Sequence, residues 1–170
     1  MTSQLSATSK QSTAQANKLG NEVWEWLQQA KVAEPHQLRE DLMTWRRGSA
    51  QMVLRLNAEL GNVSIYSALV SGVRPNEALY KYLLSYNTLQ RREALGLLER
   101  EGRWYILLKY TMEMELASRD VVQRHVFFLQ ERADALDTEL AERFGGTLRF
   151  EDWKKLDQAS VDSMIDDLFG

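Results

Sequence analysis

The sequence predicts an α+β fold: an antiparallel sheet of five strands with three main helices, in the order helix, three strands, helix, two strands, helix. Three observations carry that expectation. Between Met52 and Glu59, the residues Met52, Leu54, Leu56 and Ala58 share one face while Val53, Arg55, Asn57 and Glu59 share the other, the period of two of a sheet buried on one side. From Val122 onward, Val126, Leu129, Ala133, Leu136 and Leu140 step by four and three, the period of a helix with one apolar stripe. The run LLEREGRWYILLKYTMEMEL, Leu97 to Leu116, is strand-like but largely apolar on both faces, so the reverse side of the sheet needs a cover.

The elements follow in chain order. Residues 1–17 are mainly Ser, Thr, Gln and Ala, too poor in apolar surface to offset the entropy of ordering, and are expected to form a disordered lead before a domain over 18–146. From Leu19 the residues Val23, Trp24, Trp26, Leu27 and Ala30 recur at helical spacing, and Pro35 follows the end of the pattern. The stretch LMTWRRGSAQMVLRLNAELGNVSIYSALV reads as an antiparallel meander, punctuated at Gly48-Ser49 and Gly61-Asn62. Val73 to Glu77 starts the second helix with Pro75 in its first turn, where a missing N–H breaks no bond. A hairpin turning at Glu101-Gly102-Arg103 comes next, then a third helix capped by Ser118 and stopped by Gly145-Gly146.

Composition narrows the function classes. The chain has 170 residues, enough for one sizeable core, and its net charge of −3 gives no bulk attraction to nucleic acid or anionic lipid. Zero cysteines exclude a disulfide framework and thiolate-held metals. The start MTSQLSATSKQSTAQAN lacks the apolar core of a signal peptide and no later run approaches about 20 apolar residues, so a cytoplasmic location without membrane insertion is expected. His36 and His125 have no neighbour at metal-ligand spacing, and there is no nucleophile elbow, P-loop or dinucleotide fingerprint. Acidic residues Asp120, Asp134, Asp137 and Glu139 alternate with Arg124 and Arg132 along the third helix, the pattern of a solvated face. No enzyme activity, catalytic residue, metal or cofactor is expected.

The segments RGSAQMVLRL, SALVSGVRPNEALYKYLLSYN, REGRWYILLKYTM and ADALDTELAERFGG, in this element order, resemble the YbjN family, whose fold is that of the class I type III secretion chaperones of bacteria. The likeness covers about residues 40–146. It is carried most by Leu83, Leu84 and Asn87 in the second helix, and by Ala133, Asp134, Leu136, Asp137 and Leu140 before Phe144-Gly145-Gly146. The segment NTLQRREALGLLERE departs from the family pattern, being longer and more charged. The resemblance implies helices packed on a curved sheet, kinship with proteins that hold extended partner chains, a homodimer, and a loose link to regulation and stress.

Candidate binding residues lie on the reverse of the sheet. If Trp104, Ile106, Leu108, Tyr110 and Met112 face the helices, then Tyr105, Leu107, Lys109 and Thr111 face away. With Val53 and Arg55 they would form a shallow surface for a protein or peptide partner, unless a dimer mate or the C-terminal tail covers it. Trp24 and Trp26 are two apart on a helix and cannot share a face, which makes Trp24 a candidate aromatic anchor. In the acidic tail, 147–170, Val161, Met164, Ile165 and Leu168 have the spacing of a short amphipathic helix that needs a surface to dock on. A different class of function is open as well. RREALGLLEREGRWYILLKY would also fit a helix followed by a two-stranded wing, as in DNA-linked transcriptional regulators, although basic residues are too few and too close to acidic ones.

Overall fold

The computed structural model describes residues 2–30, 32–47, 50–90, 92–100 and 102–148. Its elements are α1 (Thr2–Gln29), β1 (Ala33–Arg39), β2 (Leu42–Arg47), β3 (Ala50–Asn57), β4 (Asn62–Val73), α2 (Glu77–Leu89), β5 (Ala94–Arg100), β6 (Arg103–Glu113), a 3-10 turn (Met114–Leu116), α3 (Arg119–Phe144) and β7 (Thr147–Leu148). The sheet is antiparallel in the order β1-β2-β3-β4-β6-β5, and β7 pairs with β4 beside that path.

Seven strands replace the expected five. β1 was hidden because AEPHQLR has no alternating apolar pattern and contains Pro35; it is an edge strand whose pairing with β2 slips twice. β7 is two residues long, below what periodicity can detect, and it follows α3 directly. The helix expected from about Leu19 runs instead from Thr2, and Ala16 is already buried. β5 occupies the segment that a winged-helix reading requires to be helical, so that element is absent from the described residues.

All three helices pack on one side of the sheet. Val23 and Leu27 of α1, Leu79 and Leu83 of α2, and Val122, Val126, Leu129 and Leu136 of α3 share a core with Met52, Leu54, Ile65, Ile106 and Leu108. Trp104 and Tyr110 pack against that core, as the alternation along β6 requires. A register shift between Ala68 and Val70 turns both Leu69 and Val70 into it, so β4 delivers an additional apolar side chain to the helices. Trp26 of α1 meets the Phe127 ring edge-on at 5.6 Å, joining the two long helices. Gly20 permits the close passage of α1, since a Cβ there would lie 2.8 Å from the Glu40 carbonyl oxygen.

Local chemistry fixes the helix ends. Asn76 caps α2 by accepting from the Leu79 N–H, which leaves Pro75 just outside the helix rather than in its first turn. Ser118 caps α3 and Gly145, at φ 73°, ends it. Asn87 clamps α2 to β5: its amide donates to the Leu95 carbonyl at 2.8 Å and accepts from the Leu95 N–H at 2.7 Å. β5 and β6 join at Gly102, with Arg100 opposite Arg103.

Candidate functional site

The face of the sheet turned away from the helices holds the expected binding residues and several others. Strand alternation and register place Leu42, Thr44 and Arg46 of β2 beside Val53 and Arg55 of β3, then Ser64 and Tyr66 of β4, then Leu107, Lys109 and Thr111 of β6. Leu42, Val53 and Tyr66 form a second apolar cluster, with Leu38 of β1 against it, and among the described residues no helix contributes to it. Leu107 is buried, opposite Ala68 and Gly96. Ser64 and Thr111 hydroxyls hydrogen-bond across the strands at 3.0 Å. The centre of this face is therefore apolar, and the Ser64 and Thr111 hydroxyls at its edge satisfy each other.

A cationic frame surrounds that centre. The Lys109 ammonium sits over the Tyr66 ring, 5.3 Å from its centroid, a cation–π contact that lays the lysine stem along the cluster. Arg46 and Arg55 flank it on β2 and β3, and Arg100 and Arg103 close the hairpin end. Arg103 donates to the Ser71 hydroxyl at 3.1 Å and to the Thr147 hydroxyl at 3.3 Å, which ties β7 to this frame. The Nε atoms of Arg46 and Arg55 and one terminal nitrogen of Arg100 are shut off from solvent. Among acidic side chains, Glu113 stands at the far end, opposite Asn62. In a chain of net charge −3, this is a concentrated positive surface.

The sequence-predicted residues divide in two. Val53, Arg55, Tyr105, Leu107 and Lys109 share the outer face, with Tyr105 half-buried opposite Leu98 and Ser71. Trp24 is apart from them. It packs on the helix-side core and lines an open cleft of about 560 Å³ with Pro35, His36, Gln37 and Leu38, at the β1 edge. Val161, Met164, Ile165 and Leu168 lie outside the described residues. Sequence reasoning missed Tyr66, Leu42 and Arg46, although the same alternation continued into β2 and β4 would have reached them.

The two sheet borders differ. β1 carries Pro35 and two register shifts, both of which obstruct pairing with a further strand. β5 is a regular border, in unbroken register with β6 from Ala94 to Arg100.

A polar group between α2 and α3 was also unforeseen. Glu93 is buried and accepts from the Tyr86 hydroxyl at 3.0 Å and from Arg132 Nε at 3.2 Å, while Arg132 also donates to the Tyr86 oxygen at 3.1 Å. Burial above all pushes the Tyr86 phenol up to about 12, with the Arg132 bond opposing and Glu93 adding to the rise. Asp137, expected on a solvated face, is buried. His125 stacks on Tyr110 at 4.3 Å and bonds the Val121 carbonyl, a packing role. Among the described residues no His, Asp and Glu side chains gather as a metal-ligand set, and no helix is long and apolar enough to cross a membrane.

Comparison with known proteins agrees with this geometry. The chain is similar in fold to the ExsC–ExsE complex structure, with a TM-score of 0.60 and 15% identity over 72% of this chain and 93% of that one. It is similar also to YbjN from E. coli, with a TM-score of 0.53 and 11% identity over 69% of this chain and 87% of that one. No curated protein matches the sequence. The family model described as T3SS (YopN, CesT) and YbjN peptide-binding chaperone 1 matches residues 18–152, most of the chain, and the chain belongs to that family.

Proposed function

We propose that this chain is a non-enzymatic chaperone or adaptor that holds an extended or amphipathic segment of a protein partner on the outer face of its sheet. The observation that carries the proposal is the second apolar cluster, Leu42, Val53 and Tyr66, framed by Arg46, Arg55 and Lys109 on a face where, among the described residues, no helix contributes a side chain to the cluster. Apolar side chains of the partner would fill the space over Val53 and Leu107, Tyr105 would add an aromatic platform, and acidic ones would meet the cationic frame. Where the segment is extended, the part of the β5 border beyond Leu95, whose N–H and C=O are held by Asn87, would supply backbone pairing. Membership of a peptide-binding chaperone family supports this mode, as does the ExsC–ExsE likeness, which is itself a complex. Roles in regulation or stress, and a cytoplasmic site of action, are part of the proposal.

The partner can also be a second copy. Tyr80, Leu84 and Leu89 are exposed along α2, with Leu84 at 68% and Leu89 at 77%, and Leu84, Ser85, Thr88 and Leu89 line a shallow apolar pocket. A stripe of this kind suits an isologous dimer, in which the same patch meets itself.

The test uses an array of 20-residue synthetic peptides alternating apolar and acidic residues, with binding followed by fluorescence anisotropy. Wild-type protein is expected to bind a subset, and Leu107→Asp and Lys109→Glu to weaken that subset about tenfold or more, the loss of one or two well-placed contacts. Lys109 is exposed, so its variant should melt as wild type does. Unchanged affinity in both variants would remove the outer face from the mechanism.

A further inference from the structure

The outer face is buried without a described cover. Leu42, Val53 and Tyr66 are 0%, 4% and 3% exposed, Leu107 is 8% exposed, and Ser71 is sealed, yet the helices that bury the sheet all lie on the other side. A bare sheet face leaves side chains of this size partly wet.

We infer that residues 149–170 dock on this face of their own chain and are displaced when a partner segment arrives. β7 brings the chain to the sheet and leaves at Leu148, paired with Val70, while Thr147 meets the outer-face Arg103. The residues that follow span roughly 30 Å as a helix, and more when extended, against roughly 15 Å from β6 to β2. Reach is sufficient. The charges match as well: from Leu156 to Gly170 the chain carries Asp157, Asp162, Asp166 and Asp167 and no Lys or Arg, opposite a face that presents Arg46, Arg55, Arg100 and Lys109. The apolar parts match too, since Val161, Met164, Ile165 and Leu168 repeat at one helical face and the centre of the sheet is an apolar cluster with a cationic rim. Tethering raises the local concentration of such a segment to the millimolar range, so weak contacts suffice to keep it seated.

Only the displacement step rests on the proposed peptide-binding role; the covering can be read alone. Because the chain has no cysteine, Leu107→Cys gives the full-length protein a single thiol on this face, with Val53→Cys as a second position in case the first does not fold. Maleimide labelling should be slow, and about tenfold faster in the same chain carrying Ile165→Asp and Leu168→Asp, at every protein concentration, as for a face about nine-tenths occupied. It should also quicken with salt, which screens the exposed charges. Equal rates with and without the tail substitutions would overturn the inference, as would a rate that rises only on dilution, which identifies a second copy as the cover. In parallel, peptides from the array should bind the tail variant about tenfold more tightly than the wild type. If labelling quickens but no peptide binds either protein, the docking stands and the peptide-binding role falls. If peptides bind and labelling is unmoved, the docking falls alone.

Discussion

Arg132 Nε lies 3.2 Å from Glu93 Oε1, and the Glu93 side chain is 1% exposed against 35% for its partner. The arginine therefore serves as the bridge between a buried carboxylate and water, and Tyr86 closes the triangle from α2. Removing it strands the charge. Arg132→Ala is expected to cost about 3–5 kcal/mol in urea unfolding, the penalty of a broken buried pair. Glu93→Gln, which removes the charge but keeps hydrogen-bonding groups, should cost less.

Alkaline pH should act on the same corner of the fold. Tyr86 and Tyr82 are both pushed up to about 12, each chiefly by burial, with Glu139 adding to the rise at Tyr82. A phenol whose folded pKa exceeds the unfolded value of 10.0 gives stability that is complete below pH 10 and is lost as pH climbs toward 12. Phenolate absorbance should lag at these two tyrosines, and the melting temperature should fall across that window.

Gly146→Ala should loosen β7. The residue has φ 95°, and a Cβ there would stand 2.6 Å from the Ser71 carbonyl oxygen and 2.8 Å from Val70. A cost of about 1–3 kcal/mol follows from the strained backbone. Hydrogen exchange at Val70 and Ser71 should accelerate before the central strands respond.

Gln130 is fully buried on α3, and neither end of its amide has a hydrogen-bond partner among the described residues. Gln130→Leu is expected to raise stability by about 1–3 kcal/mol, since an apolar group of similar size sheds the desolvation penalty. A lower urea midpoint would mean that the amide has a partner in solution.

Leu84→Lys combined with Leu89→Lys should leave the melt within about 0.5 kcal/mol of wild type, as exposed substitutions do. Light scattering during size exclusion should then report half the wild-type mass. Wild-type protein that is already monomeric would remove α2 as a dimer surface.

The helix-side architecture was legible because it is written in period. The alternation from Met52 to Glu59 and the four-three stepping from Val122 to Leu140 each bury one stripe, and the Ser118 and Gly145 end signals work through local hydrogen bonds. β1 and β7 escaped because edge strands need not alternate and two residues carry no period. Glu93 and Arg132 escaped for another reason. A charged residue reads as solvated until a partner distant in sequence is brought beside it, and here the two are 39 positions apart. On the outer face Val53 and Leu107 could be placed because their strands are long and regular, whereas periodicity says only that Trp24 and Trp26 point to different sides of α1, and the cleft Trp24 lines with β1 is set by packing distant in sequence.

The unequal borders of the sheet set how far strand addition can go. A layer that took a new neighbour at β5, beyond the Leu95 groups held by Asn87, would still meet Pro35 and slipped pairing at β1, and could be lengthened only once. Any assembly built through that border would be finite, a pair of bodies and not a growing fibre, so an open stretch of β5 need not seed a filament.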